Sequence, residues 1–148
     1  MEKALKKLLD YGMNNEVLPP ETEDGISSFE KDNHIRLPLE FVDLLKAFDG
    51  GEILIPGPTI FGIKDSELRK TIKEINGNRT RDLFSIPNNY LIVAQLNYGD
   101  YICIDLNAPH TVIQWDHEKD ELFCKWDNLS DWLEDTVSSF KQYLEGET

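Results

Sequence analysis

The sequence predicts an α+β fold, with helices in the first half of the chain, a mostly antiparallel sheet of five to six strands, and a closing amphipathic helix. Apolar residues recur at helical spacing near both ends of the chain, whereas short apolar segments fill the region between. Connections of only a few residues separate the later segments. They indicate antiparallel strands, because parallel strands need a long crossover. We expect a single domain over residues 1–148.

Three helices are expected before the sheet. The first covers residues 2–11, where leucines recur at helical spacing. The second covers residues 21–33, after Pro19 and Pro20 break the chain, and begins with acidic residues that suit a helix N-terminus. The third opens with Pro38 at its first position and has Gly50 just past its end. Its apolar face has the spacing i, i+3, i+4, i+7 and consists of Phe41, Leu44, Leu45 and Phe48.

The middle of the chain is less regular. Two short strands are expected at residues 53–55 and 59–63, on either side of a turn that contains two prolines and a glycine. A polar helix is expected at residues 65–75, with Leu68 among its inward residues, and a loop at residues 76–88.

The next segments predict an antiparallel meander of four strands, at residues 90–94, 101–106, 111–115 and 121–126. The intervening turns include Asn97–Asp100 and Asn107–His110. On the second of these strands, Ile102, Ile104 and Leu106 are expected to face the core, with Tyr101, Cys103 and Asp105 on the other face.

A strong amphipathic helix is expected at residues 129–145, with Asn128 or Ser130 as its N-cap. One face of this helix collects its apolar residues, which are Leu129, Trp132, Leu133, Val137, Phe140 and Leu144.

Charge is the most informative feature of the composition. The net charge is −13, and residues 99–148 contain 12 acidic and 3 basic residues. Such a surface repels nucleic acid and anionic membranes and attracts basic proteins, although acidity can also serve solubility alone. No apolar stretch has the length of a membrane span, and the N-terminus lacks the features of a signal peptide, so we expect a cytoplasmic protein.

No motif for catalysis, nucleotide binding or metal binding is present, and we expect neither enzymatic activity nor a cofactor or metal. The two cysteines lie singly in apolar runs, as core residues do. His117 lies between Asp116 and Glu118, but neighbours on a strand point to opposite faces, so Asp116 is poorly placed to orient the imidazole. His34 and His110 are expected at the surface or in a capping position.

Several segments together resemble a known family. They are the helix opened by Leu37-Pro38 and closed by Asp49-Gly50-Gly51, the segments Gly99–Asp105 and Val112–Glu118, and the last helix with Trp132 and Phe140. Their order and spacing are similar to the SUKH superfamily, whose founding branch contains the yeast Smi- and Knr-type cell-wall assembly regulators. In that family another glycine often follows the Gly-Asp turn, whereas Tyr101 stands here.

The resemblance implies an α+β fold and an immunity protein, because bacterial members commonly neutralise toxins that are often nucleases or deaminases. Such toxins have basic surfaces, which the negative charge of this chain would complement. The expected contact residues for the toxin are Asp100, Tyr101, Asp105, Trp115, Asp116 and Glu118. Two alternatives stay open, a regulatory scaffold of the cell-wall type and a small enzyme that uses His117. Trp115 and Trp126 can be core residues or surface anchors.

Overall fold

A computed structural model describes residues 1–108 and 110–146 of the chain. Within these residues the fold is α+β, and its sheet has seven antiparallel strands that follow one another in chain order. The sheet is therefore slightly larger than the five to six strands expected. The strands are β1 (Glu16–Val17), β2 (Gly51–Glu52), β3 (Thr59–Ile60), β4 (Tyr90–Gln95), β5 (Tyr101–Asp105), β6 (Val112–Asp116) and β7 (Glu121–Trp126).

Six α-helices accompany the sheet in the described part of the chain, together with one turn of 3₁₀ helix at Gly12–Asn14. None of these helices combines the length and apolar character needed to cross a bilayer. The helices are α1 (Glu2–Leu9), α2 (Glu23–Asn33), α3 (Leu39–Ala47), α4 (Ile72–Ile75), α5 (Asn78–Phe84) and α6 (Leu129–Gly146).

Helix α6 is held at its start by two side chains. The Asn128 Oδ1 atom accepts a hydrogen bond of 2.8 Å from the backbone N–H of Asp131, which confirms Asn128 as an N-cap. Glu40 of α3 accepts bonds from the backbone N–H of Leu129 and the hydroxyl of Ser130. A carboxylate at this position also suits the positive end of the helix dipole, so α3 positions α6.

The apolar faces of α3 and α6 form much of the core, as expected. All four residues of the predicted α3 face are buried, and Gly50 beyond the helix has a φ of +78°. Pro38 is the N-cap of α3 and not its first residue. Leu144 is wrongly predicted to be inward, since it is 38% exposed in a last turn of α6 whose residues 141–146 are all exposed.

Both faces of the meander are covered. Ile102 and Ile104 face the core as predicted, but Tyr101 on the opposite face is buried as well. The Phe84 ring at the end of α5 covers that second face, with its centroid 5.3 Å from the Tyr101 ring. Helix α6 lies on the first face, beside Trp126 of β7. The turn expected at residues 107–110 includes Pro109, which lies outside the described residues.

The middle of the chain departs from expectation because side chains from elsewhere redirect its backbone. Residues 53–55 do not form a strand. The Leu54 N–H donates to the Asn15 side chain, and Leu54 has a positive φ of 51°. The helix expected at residues 65–75 begins only at Ile72, where Thr71 and Glu74 form a capping box, and Leu68 is 91% exposed.

Residues 76–88 contain helix α5 where a loop was expected. The Arg81 side chain donates to the backbone oxygens of Asn76 and Pro87, which lie on either side of the helix. The Asn76 side chain in turn exchanges two hydrogen bonds of 2.8 Å with the backbone of Ile92 in β4. These polar contacts fasten a short helix to the sheet without an apolar stripe of the kind that periodicity detects.

Candidate functional site

A polar cluster joins two turns at one end of the meander. The turn between β4 and β5 contains Gly99 and Asp100, and the turn between β6 and β7 contains His117. Alternate turns of an antiparallel meander lie at the same end of the sheet, so residues 17 positions apart meet. The His117 Nδ1 and Asp100 Oδ1 atoms are 2.5 Å apart.

Asp100 is the centre of this cluster and only 6% of its surface is exposed. Its Oδ1 atom also accepts from the His117 backbone N–H at 3.1 Å, and its Oδ2 atom accepts from Gln114 Nε2 at 2.7 Å. Burial favours the neutral acid, but the hydrogen bonds from Gln114 and His117 together lower the pKa of Asp100 below its usual value. Asp100 is therefore an ionised turn residue and not an exposed acid.

The imidazole of His117 is held in one orientation. Its hydrogen bond with Asp100 raises its pKa, and the nearby negative charges act in the same direction. The ring also lies directly over Gly99, where a Cβ atom would come within 2.7 Å of Nε2. Because a raised pKa favours the protonated ring, this arrangement suits an ion pair better than a general base.

The cluster continues through Gln114 to a groove. Gln114 Nε2 also donates to the Tyr98 hydroxyl at 2.9 Å, and Tyr98 is 62% exposed. Both residues line a groove of about 610 Å³ between α6 and the sheet. His117 does not line this groove, whereas the enzyme hypothesis requires a concave pocket that contains the imidazole.

Three of the predicted contact residues are largely buried. Besides Asp100, they are Tyr101 at 5% exposed and Trp115 at 7% exposed. The Trp115 indole donates to the backbone oxygen of Phe84 at 2.8 Å, and its ring packs against Tyr90. These rings fill the space between the sheet and α5. The open question about Trp115 is answered in favour of the core, whereas Trp126 is half-buried.

The other three predicted residues retain accessible surface. Asp105 and Asp116 are half-buried, and each carboxylate accepts backbone hydrogen bonds within its own turn, as Asx residues commonly do. Glu118 is exposed. The structure therefore brings Asp100, Asp116 and Glu118 to one end of the sheet, with Asp105 at the opposite end of β5.

A metal ion has a conceivable ligand set in Asp100, Asp116 and His117, whose ligand atoms lie within 4.8 Å of one another. Asp100 and the imidazole are already bonded to each other, and Asp100 also accepts from Gln114. Asp116 Oδ1 accepts from the backbone N–H groups of Glu118 and Lys119. A cation would have to replace these bonds, so the cluster is better suited to joining the two turns.

An acidic stretch of the chain begins at the cluster, and its acids lie in two groups, before and after the apolar part of β7. Residues 116–135, here called the acidic edge, comprise the end of β6, the edge strand β7 and the start of α6. They contain eight carboxylates, none of them buried, and two lysines. The acidity of this region is evident from the sequence, whereas the groove is not. The recurrence of Trp132, Asp135, Ser139 and Tyr143 on one side of α6 was the available signal.

Known proteins share this architecture. A protein of known crystal structure from Pseudomonas syringae pv. tomato has a similar fold, with a TM-score of 0.71 over 93% of this chain and 99% of that one. The two are 18% identical, so the likeness concerns the fold alone. No curated protein sequence is significantly similar to the chain. The sequence matches the SMI1 / KNR4 family (SUKH-1) over residues 20–135. This match spans most of the sequence and includes both turns of the polar cluster, and the chain therefore belongs to that family.

Proposed function

We propose that this protein is a cytoplasmic immunity protein, which binds a toxin domain that acts on nucleic acid and so prevents the toxin from reaching its substrate. The SUKH-1 family supports a role of the immunity or Smi/Knr type, and its members are generally non-catalytic. The acidic edge is the observation that carries the proposal. A nuclease or deaminase needs a basic surface to hold phosphates, and that surface is the natural target of clustered carboxylates.

The exposed acids of the edge would act mainly on the association rate. Eight carboxylates against two lysines create a negative field that steers a basic partner before contact. Asp116 and Glu118 remain proposed contact residues because they are accessible. Asp100, Tyr101 and Trp115 would act indirectly, by holding the turns and strands that carry those acids. Asp105 is proposed as a peripheral contact only, since it lies at the far end of β5.

The first test is capture of the partner from the native cell with the tagged protein, washed at low and at moderate salt. Recovery of one stoichiometric protein with a basic, nucleic-acid-acting domain is the expected result. Inhibition of that domain by the purified chain would then complete the assignment. Several substoichiometric envelope or signalling proteins would instead favour the regulatory scaffold, and the immunity proposal would be abandoned.

Charge reversal tests how the acidic edge acts on the captured toxin. The triple substitution Glu118→Lys, Glu121→Lys and Asp127→Lys changes three exposed side chains of the edge. We expect the association rate to fall about tenfold or more at low salt, and the deficit to shrink as salt is added. A matched control makes the same charge change at exposed acids far from the edge, with the substitutions D32K, D65K and E67K. Equal slowing in both variants would show that net charge acts and the edge does not.

A further inference from the structure

The groove between α6 and the sheet has a volume of about 610 Å³. Aromatic rings form much of its wall. Trp126 is half-buried, Tyr98 and Tyr143 are 62% and 47% exposed, and Phe140 is almost fully buried. The rings present π-faces and edges in a recess that excludes part of the solvent.

The charge that lines the groove is negative. Asp135 is the single acidic residue of the lining, and no lysine or arginine lines the groove within the described residues. The carboxylate is placed by the Trp126 indole, which donates to Asp135 Oδ2 at 2.8 Å. Asp135 has no ion-pair partner in the described chain, although it is exposed. The groove thus pairs an indole with an unneutralised carboxylate.

We propose that this groove receives an arginine side chain from an extended basic segment of the protein partner. A guanidinium group is flat, stacks on an indole and donates several hydrogen bonds to a carboxylate, so it fits this pair better than an ammonium group does. The acidic edge borders the groove through Trp126 and Asp135, so a basic segment steered to the edge arrives beside it. The inference rests on the proposed function, because it specifies how a basic partner is anchored.

The groove is built before any partner arrives. Gln114 lies at its floor, is 6% exposed, and is fixed between the Tyr98 hydroxyl and Asp100. The floor is thereby connected to the ion pair with His117. A recess whose walls are held by such bonds loses little conformational entropy when it binds a side chain.

The test follows the three tryptophan indole N–H signals by NMR while a peptide is added. The probe is a capped seven-residue peptide in which three arginines alternate with four valines, and the comparison peptide carries citrulline in place of arginine. Citrulline keeps the shape and removes the charge. We expect the Trp126 signal to shift in a saturable way and the Trp115 signal to stay fixed, because the Trp115 indole is bonded to Phe84 on the other side of the sheet. Binding of the citrulline peptide should be about tenfold weaker.

Two variants locate the binding. Asp135→Asn should weaken binding of the arginine peptide about three- to fivefold. D131N removes an equal charge one turn earlier on α6, outside the lining, and should change binding by less than about twofold. Equal shifts of the Trp126 and Trp115 signals, equal binding of both peptides, or equal effects of both variants would overturn the proposal. None of these readouts uses a toxin. A captured toxin that binds the Asp135→Asn variant as tightly as the wild type would overturn the groove assignment and leave the proposed function standing.

Discussion

Replacing Gly99 with alanine should destabilise the fold by about 3–5 kcal/mol. Gly99 has a φ of +109°, and a side chain in that region costs about 1–3 kcal/mol by itself. The new Cβ atom would also lie 2.7 Å from Nε2 and 2.8 Å from Cε1 of His117. The ring cannot retreat without breaking its bond to Asp100, and a hydrogen bond between charged groups contributes about 1.5–3 kcal/mol.

A double-mutant cycle separates the two costs. In a chain that already carries His117→Ala, the ring is absent and Gly99→Ala should cost only the backbone strain, about 1–3 kcal/mol. The coupling between the two sites should therefore exceed about 1 kcal/mol. Urea unfolding at pH 6, followed by tryptophan fluorescence, measures the four free energies of unfolding. If the two effects add to within about 0.5 kcal/mol, the ring does not press on Gly99 and the reasoning fails.

Three further predictions concern other parts of the fold. Because folding raises the pKa of His117, the protonated ring stabilises the fold fully below about pH 6.5, and this contribution is lost as the pH rises through the raised pKa. Because folding lowers the pKa of Asp100, its carboxylate stabilises the fold above about pH 3.8. The urea concentration at the unfolding midpoint should thus be higher for the wild type than for His117→Gln, and this difference should be larger at pH 5.5 than at pH 9. An equal difference at the two pH values would argue against the ion pair. Glu40→Ala should cost about 1–2 kcal/mol in urea unfolding, because α6 loses its cap from α3, and a loss under about 0.3 kcal/mol would contradict that role. A thiol reagent should modify Cys124 in the native protein and Cys103 only on unfolding, because burial raises both pKa values and Cys103 is completely buried. Prompt reaction of both thiols would contradict the burial of Cys103.

The sheet and the long helices could be predicted because local pattern and tertiary packing agree there. Strand β7 occupies residues 121–126 as predicted, and α6 begins at Leu129, also as predicted. In each case apolar periodicity sets the buried face, and turn residues or an N-cap such as Asn128 mark the boundary.

The middle of the chain could not be predicted because distant polar side chains determine its backbone. Asn15 redirects the backbone at Leu54, 39 residues away, and an apolar run that suits a strand becomes a connecting segment. Arg81 and Asn76 attach α5 to β4 in the same manner. Side-chain hydrogen bonds over such separations leave no periodic trace in the sequence.

The polar cluster could have been predicted from the sequence. The meander was predicted, and its alternate turns share one end of the sheet, so Asp100 and His117 could have been paired on topology alone. A comparison limited to neighbours along one strand offers only Asp116 as a partner for the imidazole. The groove was harder to find, because it needs the position of α6 relative to β7.

The residues that carry the family resemblance serve mainly to hold the fold. Asp100 bonds to His117 across two turns, and Trp115 packs under α5, so packing and turn geometry account for them. Residues that hold the fold in this way have little solvent-accessible surface that a partner could contact. Glu118 and Asp135, by contrast, are exposed. The same packing explains why the sequence pattern identified the family and the architecture, and why three of the six expected contact residues, Asp100, Tyr101 and Trp115, are buried.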